Sequence, residues 1–204
     1  MTKTLRVIKF GAWGLLAFVA LAIGLGAILE RVNSNPSAGS TGSLAIGGPF
    51  ELTAHTGETI TNEDLAGTPY LVFFGFTHCP DVCPTTLAQL TAVLDQLGPQ
   101  ADITPLFITV DPERDTQDIM ADYVGYFDER ILGLRGSLEQ TEQAADAFAA
   151  YFEKVQLEDG GYTMDHTASV LMMDAQGEFV GTLDIHEPLD TQVEKLRRLT
   201  GADA

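Results

Sequence analysis

The sequence has 204 residues, of which 45% are hydrophobic, 11 are Lys or Arg and 29 are Asp or Glu, so the net charge at pH 7 is −18. This length suits one domain of ordinary size with an additional segment. Such a negative charge disfavours binding to nucleic acid and to anionic lipid, and we expect no nucleic-acid partner. It favours cationic partners, metal ions or simple solvation of the surface.

The N-terminal region predicts a membrane anchor. Residues 10–29 carry no charged side chain, and as a helix they are long enough to cross about 30 Å of hydrocarbon. Three bases lie within residues 1–9, which the positive-inside rule places in the cytoplasm as a short tail. A signal peptide cleaved at residues 20–22 is the alternative, but cleavage there leaves apolar residues on the mature end. We predict an uncleaved single-pass anchor in a bacterial-type inner membrane, with the C-terminal domain in the periplasm or an equivalent intermembrane space.

A tether and a hairpin follow the anchor. We assign residues 30–48 to a flexible tether, because their second half is rich in Ser, Gly, Asn and Pro. The globular domain is predicted at residues 49–204. Its first element is a β-hairpin, since two short strand-like runs flank Thr56 and Gly57.

The rest of the domain predicts alternating strands and helices. In chain order they are a buried strand at 70–74, a helix at 82–97, a buried strand at 103–110, a helix at 116–127, a short strand at 132–134, a helix at 137–152, strands at 168–173 and 178–183, and a helix at 189–199. A βαβ half followed by a ββα half indicates an α/β, thioredoxin-like fold. The N-terminal hairpin and a central insertion at residues 111–136 are additions to it.

Cys79 and Cys83 are the two cysteines of the chain. They lie where a predicted strand ends and a predicted helix begins, a position that stabilises thiolates. So few cysteines disfavour a fold built on disulfides. Binding of a soft metal ion, disulfide exchange and a structural disulfide all remain open from the residues alone.

The four histidines differ in their predicted surroundings. His55 is predicted to be exposed in the hairpin turn, His186 to lie in a loop, and His78 to point away from its neighbouring cysteine. His166 directly precedes a predicted strand, in the loop that faces the cysteines in thioredoxin-like folds. Redox-active members usually have a cis-proline there, but residues 113–187 contain no proline. His166 is therefore a candidate third ligand, with an ordinary loop histidine as the alternative.

Three segments together carry a family resemblance. Residues 73–84 read FFGFTHCPDVCP, residues 109–116 read TVDPERDT and residues 162–167 read YTMDHT. In this order they resemble the Sco/SenC family of copper chaperones for cytochrome c oxidase assembly, and the resemblance covers residues 48–199. Arg135 stands where a smaller polar residue is expected, and we predict that it lies far from these segments.

The resemblance implies a site and a role. It implies that Cys79, Cys83 and His166 bind one copper ion, as Cu(I), Cu(II) or both, because thiolates suit Cu(I) and imidazole also accommodates Cu(II). It implies a membrane-anchored metallochaperone that takes copper from an upstream donor. The receiver would be the binuclear copper site of cytochrome c oxidase subunit II. We expect a monomer.

Other functions stay open beside this one. The same cysteines could reduce a disulfide in the target, which would make the chain a thiol–disulfide oxidoreductase. A peroxidase is a weaker third option. A zinc site is conceivable with two cysteines and one histidine, but no carboxylate machinery accompanies it. Asp81 and Asp165 are candidates for tuning the site or docking a partner, with plain surface roles as the alternative.

Overall fold

The computed structural model describes residues 46–158 and 160–201. The predicted cytoplasmic tail, the predicted anchor and nearly all of the predicted tether lie outside these residues. Within the two described ranges, the helices are too short or too polar to cross a membrane.

The described residues form nine strands and four helices. The strands are β1 (Glu51–Ala54), β2 (Thr59–Thr61), β3 (Tyr70–Gly75), β4 (Thr104–Thr109), β5 (Leu132–Arg135), β6 (Phe152–Gln156), β7 (Tyr162–His166), β8 (Val170–Met173) and β9 (Phe179–Leu183). The helices are α1 (Val82–Leu97), α2 (Gln117–Val124), α3 (Leu138–Ala147) and α4 (Leu189–Thr200).

Seven strands form one mixed sheet in the order β2-β1-β5-β4-β3-β8-β9. Strands β3, β4 and β5 are parallel to one another, and the other pairs are antiparallel. The four strands β4-β3-β8-β9 make the thioredoxin-like core, which β5 and the β1–β2 hairpin extend at one edge. The predicted α/β, thioredoxin-like fold with an N-terminal hairpin and a central insertion is therefore confirmed.

The continuous apolar run of β3 is explained by burial on both faces of the sheet, because successive side chains of a strand point to opposite faces. On one face Phe73 stacks on Phe107 of β4, with ring centroids 5.9 Å apart. On the other face Phe74 packs against Phe148, just after α3, at 6.1 Å. All six residues of β3 are buried.

The helix predicted at residues 137–152 ends earlier, at Ala147. Ala149 has a left-handed backbone with φ of 50°, and Ala150 N–H donates to Ala145 O at 2.8 Å. Together with the bond from Ala149 N–H to Asp146 O, this is a Schellman ending. The alanine-rich sequence favours continued helix, and glycine, the usual signal of this ending, is absent.

A two-stranded antiparallel ribbon, β6–β7, follows and was not predicted. Its register pairs Phe152 with His166 at one end and Gln156 with Tyr162 at the other. His166 is thus the last residue of a strand, and its predicted place in a loop was wrong. The ribbon forms a sheet of its own, separate from the seven-stranded sheet.

At the N-terminal edge of the domain, two features of the structure differ from the sequence predictions. His55 was expected to be exposed, but it is half-buried and its Nδ1 accepts a hydrogen bond from Gly133 N–H at 3.1 Å. Gly47 N–H donates to Ala147 O at 2.7 Å, and Ile46 packs against the core. The final residues assigned to the tether from composition therefore contact the domain.

The left-handed Ala149 yields a stability prediction. Because Ala149 is exposed and glycine adopts a positive φ without the steric cost of a Cβ, we expect Ala149→Gly to raise the free energy of unfolding by about 0.5–1 kcal/mol. Urea unfolding of the purified chain, followed by circular dichroism, measures this change. As a control, Ala147→Gly, at a helical position, should lower it by about the same amount. A lower unfolding midpoint for Ala149→Gly would contradict the prediction.

Candidate metal centre

The two cysteines lie at the junction between β3 and α1. Cys83 is the second residue of α1 and is fully buried, whereas Cys79 lies in the preceding loop and is partly exposed. The sulfur of Cys83 sits directly against the strand. A Cβ at Gly75 would come within 2.8 Å of that sulfur and within 2.7 Å of Phe107 Cε2, so this close approach requires glycine at the end of β3.

The start of α1 directs a backbone amide at the exposed sulfur. Asp81 occupies the N-cap position, but its side chain accepts no hydrogen bond from a backbone amide of the first turn. Cys83 N–H, one of the first-turn amides that have no carbonyl partner within a helix, donates to Cys79 Sγ at 3.4 Å. The partial positive charge of this N–H group thus faces the Cys79 sulfur, which stabilises a metal-bound or nucleophilic thiolate.

His166 reaches the same place from the end of β7. Its Nε2 lies 3.6 Å from Cys83 Sγ, and its Nδ1 lies 3.1 Å from the carbonyl oxygen of Thr167. Because a carbonyl can only accept, Nδ1 carries the proton and Nε2 keeps its lone pair toward the sulfur. The imidazole packs edge-on against Phe76, with centroids 5.8 Å apart at 87°, and against Phe73.

The three predicted ligands therefore converge. The two Sγ atoms and one imidazole nitrogen all lie within 4.8 Å of one another, and no other such group occurs within residues 46–158 and 160–201. Metal bonds of about 2.0–2.3 Å place the ligands of one ion about 3.3–4 Å apart, so a small closure suffices. Two thiolates and an imidazole suit copper or zinc.

Burial dominates the electrostatics of the inner cysteine. It raises the pKa of the Cys83 thiol far above its usual range, and the nearby Cys79 sulfur and Asp115 carboxylate raise this pKa further. Cys83 is therefore protonated at neutral pH when no metal is bound. A metal ion that binds there must displace this proton.

A buried carboxylate fixes the cysteine loop. Asp115 is 0% exposed and accepts hydrogen bonds from Thr77 N–H at 3.0 Å, Thr77 Oγ1 at 2.6 Å and Thr109 Oγ1 at 2.5 Å. Thr77 lies in the cysteine loop and Thr109 ends β4. The TVDPERDT segment therefore ties the loop to the central sheet.

Arg135 contacts this same segment, so the prediction that it lies far from the motifs was wrong. Its Nε donates to Asp115 O at 3.0 Å and its Nη2 to Pro112 O at 3.4 Å. The parallel pairing of β4 with β5 places the end of β5 against the loop that follows β4.

The remaining candidates lie outside the ligand group. His78 is half exposed and its Nδ1 is 3.7 Å from Asp115 Oδ1, while His186, Asp81 and Asp165 are exposed. None of the four joins the three ligands, and the tuning or docking roles considered for Asp81 and Asp165 stay predictions.

Tyr123 is a neighbour of the site that sequence reasoning missed. Its hydroxyl is buried and has no hydrogen-bond partner among the residues described. Burial, followed by the two cysteine sulfurs, raises its pKa. The sequence indicated only that Tyr123 lies in a helix, and no pattern indicated that its hydroxyl is buried near the cysteines.

The difference between the two thiols can be tested by alkylation. In the reduced, metal-free chain we expect iodoacetamide to modify Cys79 at least about tenfold faster than Cys83, because Cys83 is buried and protonated. Peptide mass spectrometry after timed quenching measures both sites. Denatured protein, in which both thiols are accessible, provides the reference rates. Equal rates in the folded chain would contradict this arrangement.

Comparison with known proteins gives a consistent result. The SCO1/SenC family model matches residues 38–201. The human "Protein SCO1 homolog, mitochondrial" is 43% identical over 143 residues, covering 68% of this chain and 48% of that protein. This chain thus spans about half the length of that curated relative. The "SCO2-like protein" of Rickettsia felis is 35% identical over 173 residues, which cover 79% of this chain and 84% of that protein.

A solved structure agrees with both sequence matches. Bradyrhizobium japonicum ScoI with copper bound superposes with a TM-score of 0.72 at 42% sequence identity, covering 76% of this chain and 99% of that one. The family model extends over most of the sequence, including all three segments that carry the resemblance. The chain belongs to the SCO1/SenC family.

Proposed function

We propose that this chain is a copper metallochaperone that binds one copper ion through Cys79, Cys83 and His166 and acts in cytochrome c oxidase assembly. The convergence of the three ligand atoms within 4.8 Å carries this proposal. The copper-bound relative supports the choice of metal, and the two soft sulfur ligands suit Cu(I).

The burial of the ligands suggests how copper would be handed over. Cys79 and His166 are partly exposed, whereas Cys83 is buried. Ligands of an acceptor can therefore replace Cys79 and His166 first, and Cys83 last. A site with three protein ligands also leaves one coordination position through which an incoming ligand can bind before any protein ligand leaves.

The proposed acceptor follows from the family resemblance, and the proposed location follows from the charge pattern of residues 1–29. We propose delivery to the binuclear copper site of cytochrome c oxidase subunit II, from an upstream copper donor. An anchor at residues 10–29 would hold the domain on the periplasmic or intermembrane-space side of the membrane. A flexible tether at residues 30–45, shorter than the predicted 30–48 because Ile46 and Gly47 contact the domain, would allow it to move about 22 Å from the anchor, enough to reach a partner in the same membrane.

The ligand role of His166 can be tested with metal. The reduced wild-type chain should bind about one Cu(I) in competition with a chelator, and we expect His166→Ala to weaken this binding by an order of magnitude or more. The cysteines of the variant should still form a disulfide on oxidation, since neither thiol is changed.

The matched control is His186→Ala, which removes an exposed imidazole outside the ligand group and should leave copper affinity unchanged. Wild-type affinity in His166→Ala would overturn the three-ligand site.

A second candidate function is thiol–disulfide reduction of the same target. The observation that favours it is the pair of free thiols with Cys79 partly exposed and Cys83 buried. The Cys79 thiolate would attack a target disulfide and form a mixed disulfide, releasing one target thiolate. Cys83 would then attack the Cys79 sulfur and release the second target thiolate. The two electrons gained by the target come from the Cys79 and Cys83 sulfurs, which are oxidised to a disulfide, and the proton of the Cys83 thiol passes to the released target thiolate.

This reaction can be measured directly. If it occurs, the reduced, metal-free chain restores two thiols on an oxidised subunit II fragment, as counted with a thiol reagent. Cys83→Ser should stop at the mixed disulfide, because the second attack is lost. No thiol recovery with the wild-type chain would exclude the reductase and leave the copper proposal standing.

A further inference from the structure

The ribbon that carries His166 is not part of the central sheet. Strands β6 and β7 pair only with each other among the described strands. No ladder of sheet hydrogen bonds therefore fixes His166 relative to the cysteines. Its position must come from side-chain contacts and from the segments that lead into and out of the ribbon.

A charged cluster, which we call the Arg114 clamp, holds the far end of β7. It consists of Arg114, Asp111 and Tyr162. The Nε of Arg114 donates to Asp111 Oδ2, and its Nη1 donates to Tyr162 O at 3.1 Å. The guanidinium lies over the Tyr162 ring, 3.8 Å from its centroid.

Asp111 is the residue of the clamp that lies next to the central sheet. Its carboxylate is almost fully buried and also accepts a hydrogen bond from the Tyr162 hydroxyl, at 3.0 Å. Asp111 lies two residues after the end of β4, so it is held close to the central sheet. The clamp thus joins both the backbone and the side chain of Tyr162 to that sheet.

Arg114 also contacts Phe76, the ring that packs against the His166 imidazole. Its guanidinium carbon lies 5.9 Å from the centroid of Phe76, and Phe76 packs edge-on against His166 at 5.8 Å. Arg114 therefore lies between the first residue of β7 and the ring that supports the last residue of β7. Its Nη2 is buried without a hydrogen-bond partner in the described part of the chain, so this placement is not ideal for the arginine itself.

We infer that Arg114 is a positioning residue for the third copper ligand, because it clamps the ribbon and Phe76 so that His166 Nε2 stays within reach of the Cys83 sulfur. This inference rests on the proposed copper function. A ligand held in place before the metal arrives loses less conformational freedom on binding, and the metal affinity rises accordingly. Without the clamp, the two thiolates would hold Cu(I) with a weakened contribution from the imidazole.

Arg130 offers a matched control on the same chain. It donates from Nε and Nη2 to Asp128, at 2.8 and 2.7 Å, and from Nη1 to Gly98 O at 3.0 Å. Its side chain is 22% exposed, close to the 25% of Arg114. Both arginines therefore make one ion pair and one bond to a carbonyl, but Arg130 contacts neither the ribbon nor the cysteine loop.

The copper experiment compares Arg114→Gln with Arg130→Gln in the 204-residue chain. For Arg114→Gln we expect about tenfold weaker Cu(I) binding, at the lower end of what loss of a residue supporting a metal ligand costs. X-ray absorption should show a reduced imidazole contribution, shifted toward that of His166→Ala. Arg130→Gln should keep wild-type affinity and spectrum, even if both variants lose similar thermal stability.

A second readout needs no copper. Ring-proton shifts of His166 in the reduced, metal-free chain report its packing against Phe76 and Phe73, and the His166→Ala variant assigns the signals. We expect Arg114→Gln to move these shifts toward those of an exposed imidazole and Arg130→Gln to leave them unchanged. If the wild-type chain binds no copper, the proposed function fails, and the shifts still test the positioning role.

If Arg114→Gln does not fold, the same measurements are made on Arg114→Lys. Lysine keeps the positive charge beside Asp111, but it lacks the planar, forked group that stacks on Tyr162 and reaches its carbonyl. We expect wild-type folding with a partial shift of the His166 signals. Wild-type His166 signals and imidazole coordination in a folded Arg114→Gln or Arg114→Lys variant would overturn the inference.

Discussion

The buried carboxylate of Asp115 is the constraint on which the site depends. The loop between β3 and α1 has no regular structure of its own, so its place on the sheet is set by the bonds from Thr77 to this carboxylate. A buried carboxylate without partners is very costly. If the loop moved away, that carboxylate would lose two of its three hydrogen bonds, so Cys79 and Cys83 keep their position relative to the end of β4.

The same segment after β4 also orients the element that carries the third candidate ligand. Asp115 holds the cysteine loop, while Asp111 and Arg114 hold the β6–β7 ribbon. Cys79 comes from a loop, Cys83 from the helix that follows it and His166 from a separate ribbon, and none of these elements belongs to the main sheet. Residues 110–115, which supply no ligand, thus bring the ligands together, and they directly follow a strand at the centre of the sheet.

The centre combines a protected sulfur with accessible partners. Cys83 packs against β3, where Gly75 leaves room for its sulfur, and it is shielded from solvent. Cys79 and His166 face the surface. Both proposed functions depend on this difference in solvent exposure, because ligand exchange and disulfide exchange each begin at the exposed sulfur of Cys79 and end at the buried sulfur of Cys83. The same arrangement of the two cysteines therefore suits both copper transfer and disulfide exchange.

The sequence by itself determined the features that local patterns encode. Continuous apolar runs predicted the central strands, spacing predicted α1, and three motifs indicated both the family and the candidate ligands. The tertiary structure decided the features that depend on distant pairing. An alanine at 149, where glycine is usual, hid the end of α3 and the ribbon behind it. Arg135 meets Asp115, 20 residues away, only because β4 and β5 are parallel neighbours. Likewise His166 meets Cys83 across 83 residues, because contacts between separate elements, which local propensity does not encode, bring the ribbon to the cysteine loop.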